Sequence, residues 1–196
     1  MPQTFDRIAQ SYDRMLRPYE RRLLGRWRAE TLKELPSNST ILEIGAGTGA
    51  NFAYYPTCKQ AVASEISCEM LRFAAEKTAS IDLVEADAEG LPFASDSFDA
   101  VFATLVFCSI ANPAAAFAEV IRVLKPNGRL VLLEHVRPNG LLGYVFDALS
   151  VLTVAVVDDH FNRRTAKIAG AAGLKILEVR SKALGIVNLI VCEKVT

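Results

Sequence analysis

An open α/β sheet with helices wound on both faces is the fold this sequence predicts, and three observations predict it. From Thr40 onward short apolar runs alternate with helical windows, a glycine-rich turn follows the first run, and the alternation uses up the chain. Alternation of this kind gives a doubly wound, mostly parallel sheet, and a ligand of such a sheet lies beyond the carboxyl ends of its strands. At 196 residues, 51% hydrophobic and 22% charged, the chain reads as one globular domain over 1–196. Its 22 basic and 22 acidic residues balance, which gives no reason to expect nucleic acid as a partner.

The elements follow in order. Residues 1–37 read as a helical cap on a core over 38–196. Phe5–Leu16 is a short amphipathic piece, and Pro18 suits the first turn of a second helix. In that helix Leu23, Leu24, Trp27, Thr31, Leu32 and Leu35 recur near helical spacing, and Pro36-Ser37-Asn38 ends it. Arg21, Arg22, Arg26 and Arg28 lie mostly off that stripe, as a solvated face or as a contact with an anionic membrane surface.

Strand-like runs follow at Ile41–Ile44, Ala61–Ile66, Ile81–Ala86, Ala100–Leu105, Leu130–His135, Lys175–Arg180 and Val187–Glu193. Helical windows fall between them, roughly Ala50–Tyr55, Cys68–Ala79, Asn112–Leu124, Leu142–Val157 and Arg163–Ala172. Asn112-Pro113 reads as a cap followed by a first-turn proline, and Lys125-Pro126-Asn127-Gly128 as a stop followed by a turn. Only about six residues separate the last two runs, fewer than the dozen or so that a parallel crossover needs, so they form an antiparallel hairpin. Leu141–Val157 is nearly all apolar, but its 17 residues are interrupted by Asp147 and fall short of the ~20 that span a bilayer. It reads as a buried or lid helix within a variable segment at about 137–165.

The glycine turn is ILEIGAGTGANF, Ile41–Phe52. Gly45-Ala46-Gly47-Thr48-Gly49-Ala50 satisfies the dinucleotide fingerprint and the G-x-G-x-G of methyl transfer enzymes alike, whereas no Lys-Ser/Thr follows to make a phosphate-binding P-loop. Glu43, two residues before the first glycine, faces a pyrophosphate with like charge but suits the sulfonium and ammonium of S-adenosylmethionine. Length points the same way, since a dehydrogenase of this type needs a further substrate domain. Glu65, at the tip of the second strand, is placed to accept hydrogen bonds from both ribose hydroxyls, as it would in a dinucleotide enzyme too. Asp87, beyond the third strand, lies where an adenine amino group needs an acceptor. Ile66 and Met70 are placed either on the adenine ring or in the core.

ILEIGAGTGANF, EADAEGLPFASDSFDAVFA and VIRVLKPNGRLVLLEHV, in that order and spacing, resemble class I S-adenosylmethionine-dependent methyltransferases of the type 11 group. FDRIAQSYDRM looks like the entry helix of the ubiquinone/menaquinone C-methyltransferases and bacterial phospholipid N-methyltransferases. TLVFCSIANP, LLEHV and NRRT are similar to the methyltransferase-like-7 thiol methyltransferases. The resemblance implies a Rossmann-like seven-stranded sheet in the order 3-2-1-4-5-7-6, strand 7 antiparallel, with S-adenosylmethionine as cofactor and S-adenosylhomocysteine as product. Carried over by position, it puts Gly45, Gly47 and Gly49 along the methionyl part, Glu65 on the ribose, and Asp87 with Ala88 at the adenine. Thr104 and Val106 then lie under the cofactor, and Tyr12 closes over it.

Methyl transfer is an in-line attack on a sulfonium carbon, so the protein supplies mainly proximity and orientation. A base is needed only where the acceptor must first lose a proton. His135, at the end of the fifth strand, and His160, in the variable segment, are the candidates. Asp158, Asp159 and His160 are adjacent, so their side chains diverge and no metal site is expected. Cys58, Cys68, Cys108 and Cys192 are scattered and read as buried free thiols of a reducing compartment. The charged start MPQTFDRIAQ lacks an apolar stretch, so the expected location is cytoplasmic, with or without peripheral contact at a membrane surface. The apolar cap and lid segments imply a small apolar or amphipathic acceptor: a phospholipid amine, a quinone precursor or a hydrophobic thiol. A small NAD-dependent oxidoreductase and a non-catalytic cofactor-binding module are the alternatives.

Overall fold

The computed structural model describes residues 2–137 and 163–195. Seven strands form one sheet in the order β3-β2-β1-β4-β5-β7-β6. They are β1 (Thr40–Ile44), β2 (Gln60–Glu65), β3 (Asp82–Glu85), β4 (Phe98–Thr104), β5 (Leu124–His135), β6 (Leu174–Lys182) and β7 (Val187–Lys194). The first five run parallel, and β7 lies antiparallel to both β5 and β6, as the short last connection requires. Residues 183–186 alone make that reversal, with Ala183, Leu184 and Gly185 all at positive φ.

Central strands are buried on both faces, which is why β1 and β4 read as unbroken apolar runs. Successive residues still point to opposite faces. Leu42, Ile44, Val101, Ala103, Leu130 and Leu132 pack with Phe117 and Val120 of α4 (Pro113–Val123) and Ala169 of α5 (Thr165–Ala171). Ile41, Phe102 and Val131 pack instead on Leu32 of α2 (Gly25–Leu32) and on Leu35. Burying each such side chain contributes about 1.5–3 kcal/mol. The Asn112 side chain accepts from Ala115 N–H at 3.2 Å with Pro113 next to it, the cap the dipeptide predicts. Ser67 does the same for α3 (Cys68–Ala75) through Met70 N–H, at 3.1 Å.

Four local expectations change. Pro18 does not open a second helix: α1 runs from Pro2 to Tyr19 and continues through a π turn, Glu20–Leu24, into α2. The proline removes one helical hydrogen bond, and the chain widens a turn rather than breaking. The window Ala50–Tyr55 holds only a 3-10 turn, Phe52–Tyr54, because Tyr55 precedes Pro56 and takes an extended conformation. Lys125–Gly128 bulges within β5 instead of preceding it, with Asn127 at φ 61° and a register shift against β4. Cys108 and Cys192 are buried, but Cys58 is half-buried and Cys68 exposed, since Cys68 opens the solvent end of α3. Among the described residues no helix is long and apolar enough to cross a membrane. The expected lid, Leu141–Val157, lies outside the described residues.

Candidate functional site

At the carboxyl ends of β1, β2, β3 and β4, one pocket of about 1030 Å³, counting its open mouth, is roofed by α1. The turn after β1 supplies Gly45–Thr48 and Ala50, and the end of β2 supplies Glu65, Ile66 and Met70. Ala86–Glu89 come from the loop after β3, and Thr104–Val106 with Ser109–Ala111 from the loop after β4. Phe5 and Tyr12 project from α1, and Arg28 enters from α2. The roof is pinned from below: Ser67 Oγ donates to Asp6, and Thr48 Oγ1 and Lys77 Nζ donate to Asp13.

The three glycines do different work. All have positive φ, at 68°, 55° and 80° for Gly45, Gly47 and Gly49. A Cβ on Gly45 meets Val106 at 2.5 Å and one on Gly49 meets Phe52 at 2.5 Å, while one on Gly47 meets nothing within 4 Å. Gly45 and Gly49 therefore let the turn close on its own neighbours. Gly47 alone leaves space where a ligand approaches bare backbone.

Glu65 is buried, its Oε2 accepting from Gly47 N–H at 2.9 Å and its Oε1 from Ser67 N–H at 3.0 Å. Burial raises its pKa and the amides of Ser67 and Gly47 oppose that. A carboxylate has about four acceptor sites, so these bonds orient it and leave capacity for a ligand. Burial likewise raises the Tyr12 pKa, against the field of Arg28. Asp87 Oδ1 accepts from Glu89 N–H at 2.9 Å, which folds the loop after β3 back on itself.

Ten expected cofactor residues surround this pocket: Tyr12, Gly45, Gly47, Glu65, Ile66, Met70, Asp87, Ala88, Thr104 and Val106. Gly49 does not, for the reason given. Glu43 does not either, and this corrects the electrostatic expectation. Strand alternation puts Glu43 on the same face as Ile41, under α2, where it is wholly buried. Its carboxylate accepts from Asn51 Nδ2 and Tyr55 Oη, and burial pushes its pKa up to about 6 against those bonds. It faces no ligand.

The basic residue that lines the pocket among its acids is Arg28, expected on a solvated or membrane-facing surface and in fact 5% exposed. Its guanidinium pairs with Glu20 at 2.9 Å and donates to Asn51 Oδ1 at 3.0 Å and to Thr104 Oγ1. Asn51 links onward to Glu43, so Glu43 positions the residue that positions Arg28. Glu134, also fully buried, accepts from Val106 and Phe107 N–H at 3.0 and 3.1 Å. It holds the loop in which Leu105, at φ 61°, turns the chain into the pocket wall. An acid inside the apolar run LVLLEHV was the signal for that role.

His135 follows Glu134 and so takes the other face of β5, with Leu133 and opposite Val187. Among the described residues it is not one that lines the pocket. His160, with Asp158 and Asp159, lies outside the described residues.

The profile of the methyltransferase-domain family matches residues 42–132, the stretch from β1 into β5 that builds most of this pocket. A demethylmenaquinone methyltransferase of Renibacterium salmoninarum is 33% identical over 68% of this chain and 58% of its own length. A ubiquinone/menaquinone biosynthesis C-methyltransferase of Pseudomonas putida is 34% identical over 76% of this chain and 63% of its own. The chain thus spans about three fifths of the length of these relatives. Among solved structures, a Haloferax volcanii protein in complex with the Trm112 methyltransferase activator superposes with a TM-score of 0.80 at 18% identity, over 98% of each chain. A Thermotoga maritima SAM-dependent methyltransferase does so with 0.78 at 21%, over 99% of this chain and 100% of its own. The structural likenesses establish the fold alone. The methyltransferase-domain profile over residues 42–132 and the sequence relatives support a class I S-adenosylmethionine-dependent methyltransferase, with S-adenosylmethionine as its cofactor.

Proposed function

We propose that this protein methylates a ring carbon of a quinone precursor, or of an acceptor equally apolar. One observation carries the reading. The pocket is lined by open Gly47 backbone with two buried charges, Glu65 and Arg28, and by the apolar residues Phe5, Leu105 and Ile110. The first part fits a zwitterionic nucleoside, and the second fits a flat apolar partner. The relatives named for menaquinone and ubiquinone methylation support the acceptor class.

S-adenosylmethionine, when bound, supplies an electrophilic methyl group on a sulfonium. The chain supplies placement. Arg28 holds the methionyl carboxylate through Nη2, because Nε and Nη1 are already engaged with Glu20, Asn51 and Thr104. Gly45 and Gly47 admit the methionyl chain. Glu65 accepts from the ribose hydroxyls, Asp87 from the adenine amino group, and Ile66 and Met70 flank the adenine. Tyr12 and Phe5, from the roof, exclude water, so that attack occurs within an oriented pair and not by random collision.

The test incubates the purified protein with methyl-labelled S-adenosylmethionine and, separately, a demethylated menaquinol, phosphatidylethanolamine and an alkyl thiol. Label entering the quinol ring is the expected outcome. Label confined to the lipid amine or the thiol reassigns the acceptor, and label in none favours a non-catalytic binding module. Calorimetry with NADH belongs beside it. NADH binding without S-adenosylhomocysteine binding would restore the oxidoreductase.

A further inference from the structure

The outer face of α1 and the π turn after it joins exposed apolar side chains to exposed arginines. Met15 and Tyr19 are each 61% exposed and Leu23 is 49% exposed. Residues four apart lie on one helix face, so the three form a stripe. Tyr12, seven residues before Tyr19, continues that line into the pocket wall. Beside the stripe Arg14, Arg17 and Arg22 are all exposed and line one shallow concavity with Pro18.

The acids of this segment are bonded to other groups, and Asp13 alone of them borders Arg14 and Arg17. Asp6 is held by Ser67, Asp13 by Thr48 and Lys77, and Glu20 by Arg28. Among the described residues no acid pairs with Arg14, Arg17 or Arg22. The outward face is therefore cationic and apolar together. Three apolar residues make a narrow stripe, too small for the ~800 Å² that each partner commonly buries in a stable protein interface. A narrow stripe flanked by arginines is the arrangement of a helix that lies in a bilayer interface, its long cationic side chains reaching phosphates while aromatic and aliphatic ones enter at headgroup depth.

We propose that this face is a docking surface for an anionic lipid bilayer. Met15, Tyr19 and Leu23 enter the interface, and Arg14, Arg17 and Arg22 meet lipid phosphates. The stripe then delivers an apolar acceptor toward the pocket mouth at Tyr12, and this direction of traffic is the one point that rests on the proposed acceptor class.

The test is cosedimentation of the full chain with vesicles of phosphatidylcholine alone and of phosphatidylcholine mixed with phosphatidylglycerol. S-adenosylhomocysteine binding is measured on the same samples, so docking and methyltransferase readings fail separately. The expected result is binding to the anionic vesicles only, lost at about 0.5 M salt, where exposed charges are screened. The triple variant Arg14→Gln, Arg17→Gln, Arg22→Gln weakens it on the order of 100-fold, each arginine counting for roughly fivefold at an anionic surface. Leu23→Asp weakens it further, and ligand binding is unchanged in both variants. Equal binding to neutral vesicles, no vesicle binding, or binding that the variants leave intact overturns the proposal. So does concentration-dependent self-association that Leu23→Asp abolishes, which makes the occupant a second copy of the chain.

Discussion

The two halves of the sheet handle charge in opposite ways. Around the ends of β1, β2 and β4, Arg28, Glu43, Asn51, Glu65, Ser67 and Thr104 are buried and bonded to one another or to backbone. Across β5, β7 and β6 the interior is aliphatic, with Leu133, Leu189, Ile190 and Val191, and ion pairs sit at the rim, each with at least one partner about a third or more exposed. There Arg180 meets Glu34 and Glu178, Lys182 meets Glu30, and Lys194 meets Asp96. Burying a charge costs several kcal/mol unless it is well paired, while exposed pairs contribute roughly 0–1 kcal/mol. A fold that needed only stability would treat both halves alike. The costly arrangement stands where a ligand arrives, and Glu134, the buried acid of β5, reaches toward that same end.

If the contrast is real, substitutions in the first half should affect folding and binding together, and those in the second should affect neither strongly. The largest effect is expected from Arg28→Met, which leaves Glu20, Asn51 and Thr104 without their shared partner. Urea unfolding should show a loss of about 3 kcal/mol, the usual result of breaking one side of a buried pair. Next, Gly47→Val puts a branched side chain into the open space of the pocket at a left-handed φ. Affinity for S-adenosylhomocysteine should fall on the order of 100-fold or more by calorimetry, since backbone approach is blocked.

Glu43 gives a pH signature of middling size. Its pKa in the folded protein, about 6, lies above the ordinary 4.5, so the folded form holds the proton more tightly than the unfolded one. Its stabilising contribution is full below pH 4.5 and is lost as pH rises through about 6, a change of about 2 kcal/mol. Unfolding free energies measured across that window should fall in the wild type and lack this component in Glu43→Gln. Lys182→Ala, in the other half, should change stability by less than about 1 kcal/mol and leave ligand affinity untouched. A large effect there erases the contrast.

Most of the architecture was legible because alternation of apolar runs and helical windows needs no tertiary information. The hairpin at the end followed from chain length alone. The functional end was legible too, because glycines between a strand and a turn mark it. What stayed hidden was the side on which each charge lands. ILEI is buried on both faces, so nothing in its pattern shows that Glu43 shares a face with Ile41 and not with Leu42. Arg28 sits among RWRAE like any surface arginine, and its partner Glu20 lies eight residues back across a π turn that no periodicity announces. Glu43 therefore lies behind the pocket and not in its lining, and the pocket sets the cation Arg28, paired with Glu20, among the acids Glu65, Asp87 and Glu89.

The most direct measurement compares S-adenosylhomocysteine with its analogue lacking the amino-acid carboxylate, titrated into the wild type and into Arg28→Met. If Arg28 grips that carboxylate, the wild type binds the complete ligand at least about tenfold more tightly, as a charge-assisted bond of 1.5–3 kcal/mol requires, and the variant does not distinguish the two. Equal affinities in the wild type, or a preference that survives in Arg28→Met, would contradict the account.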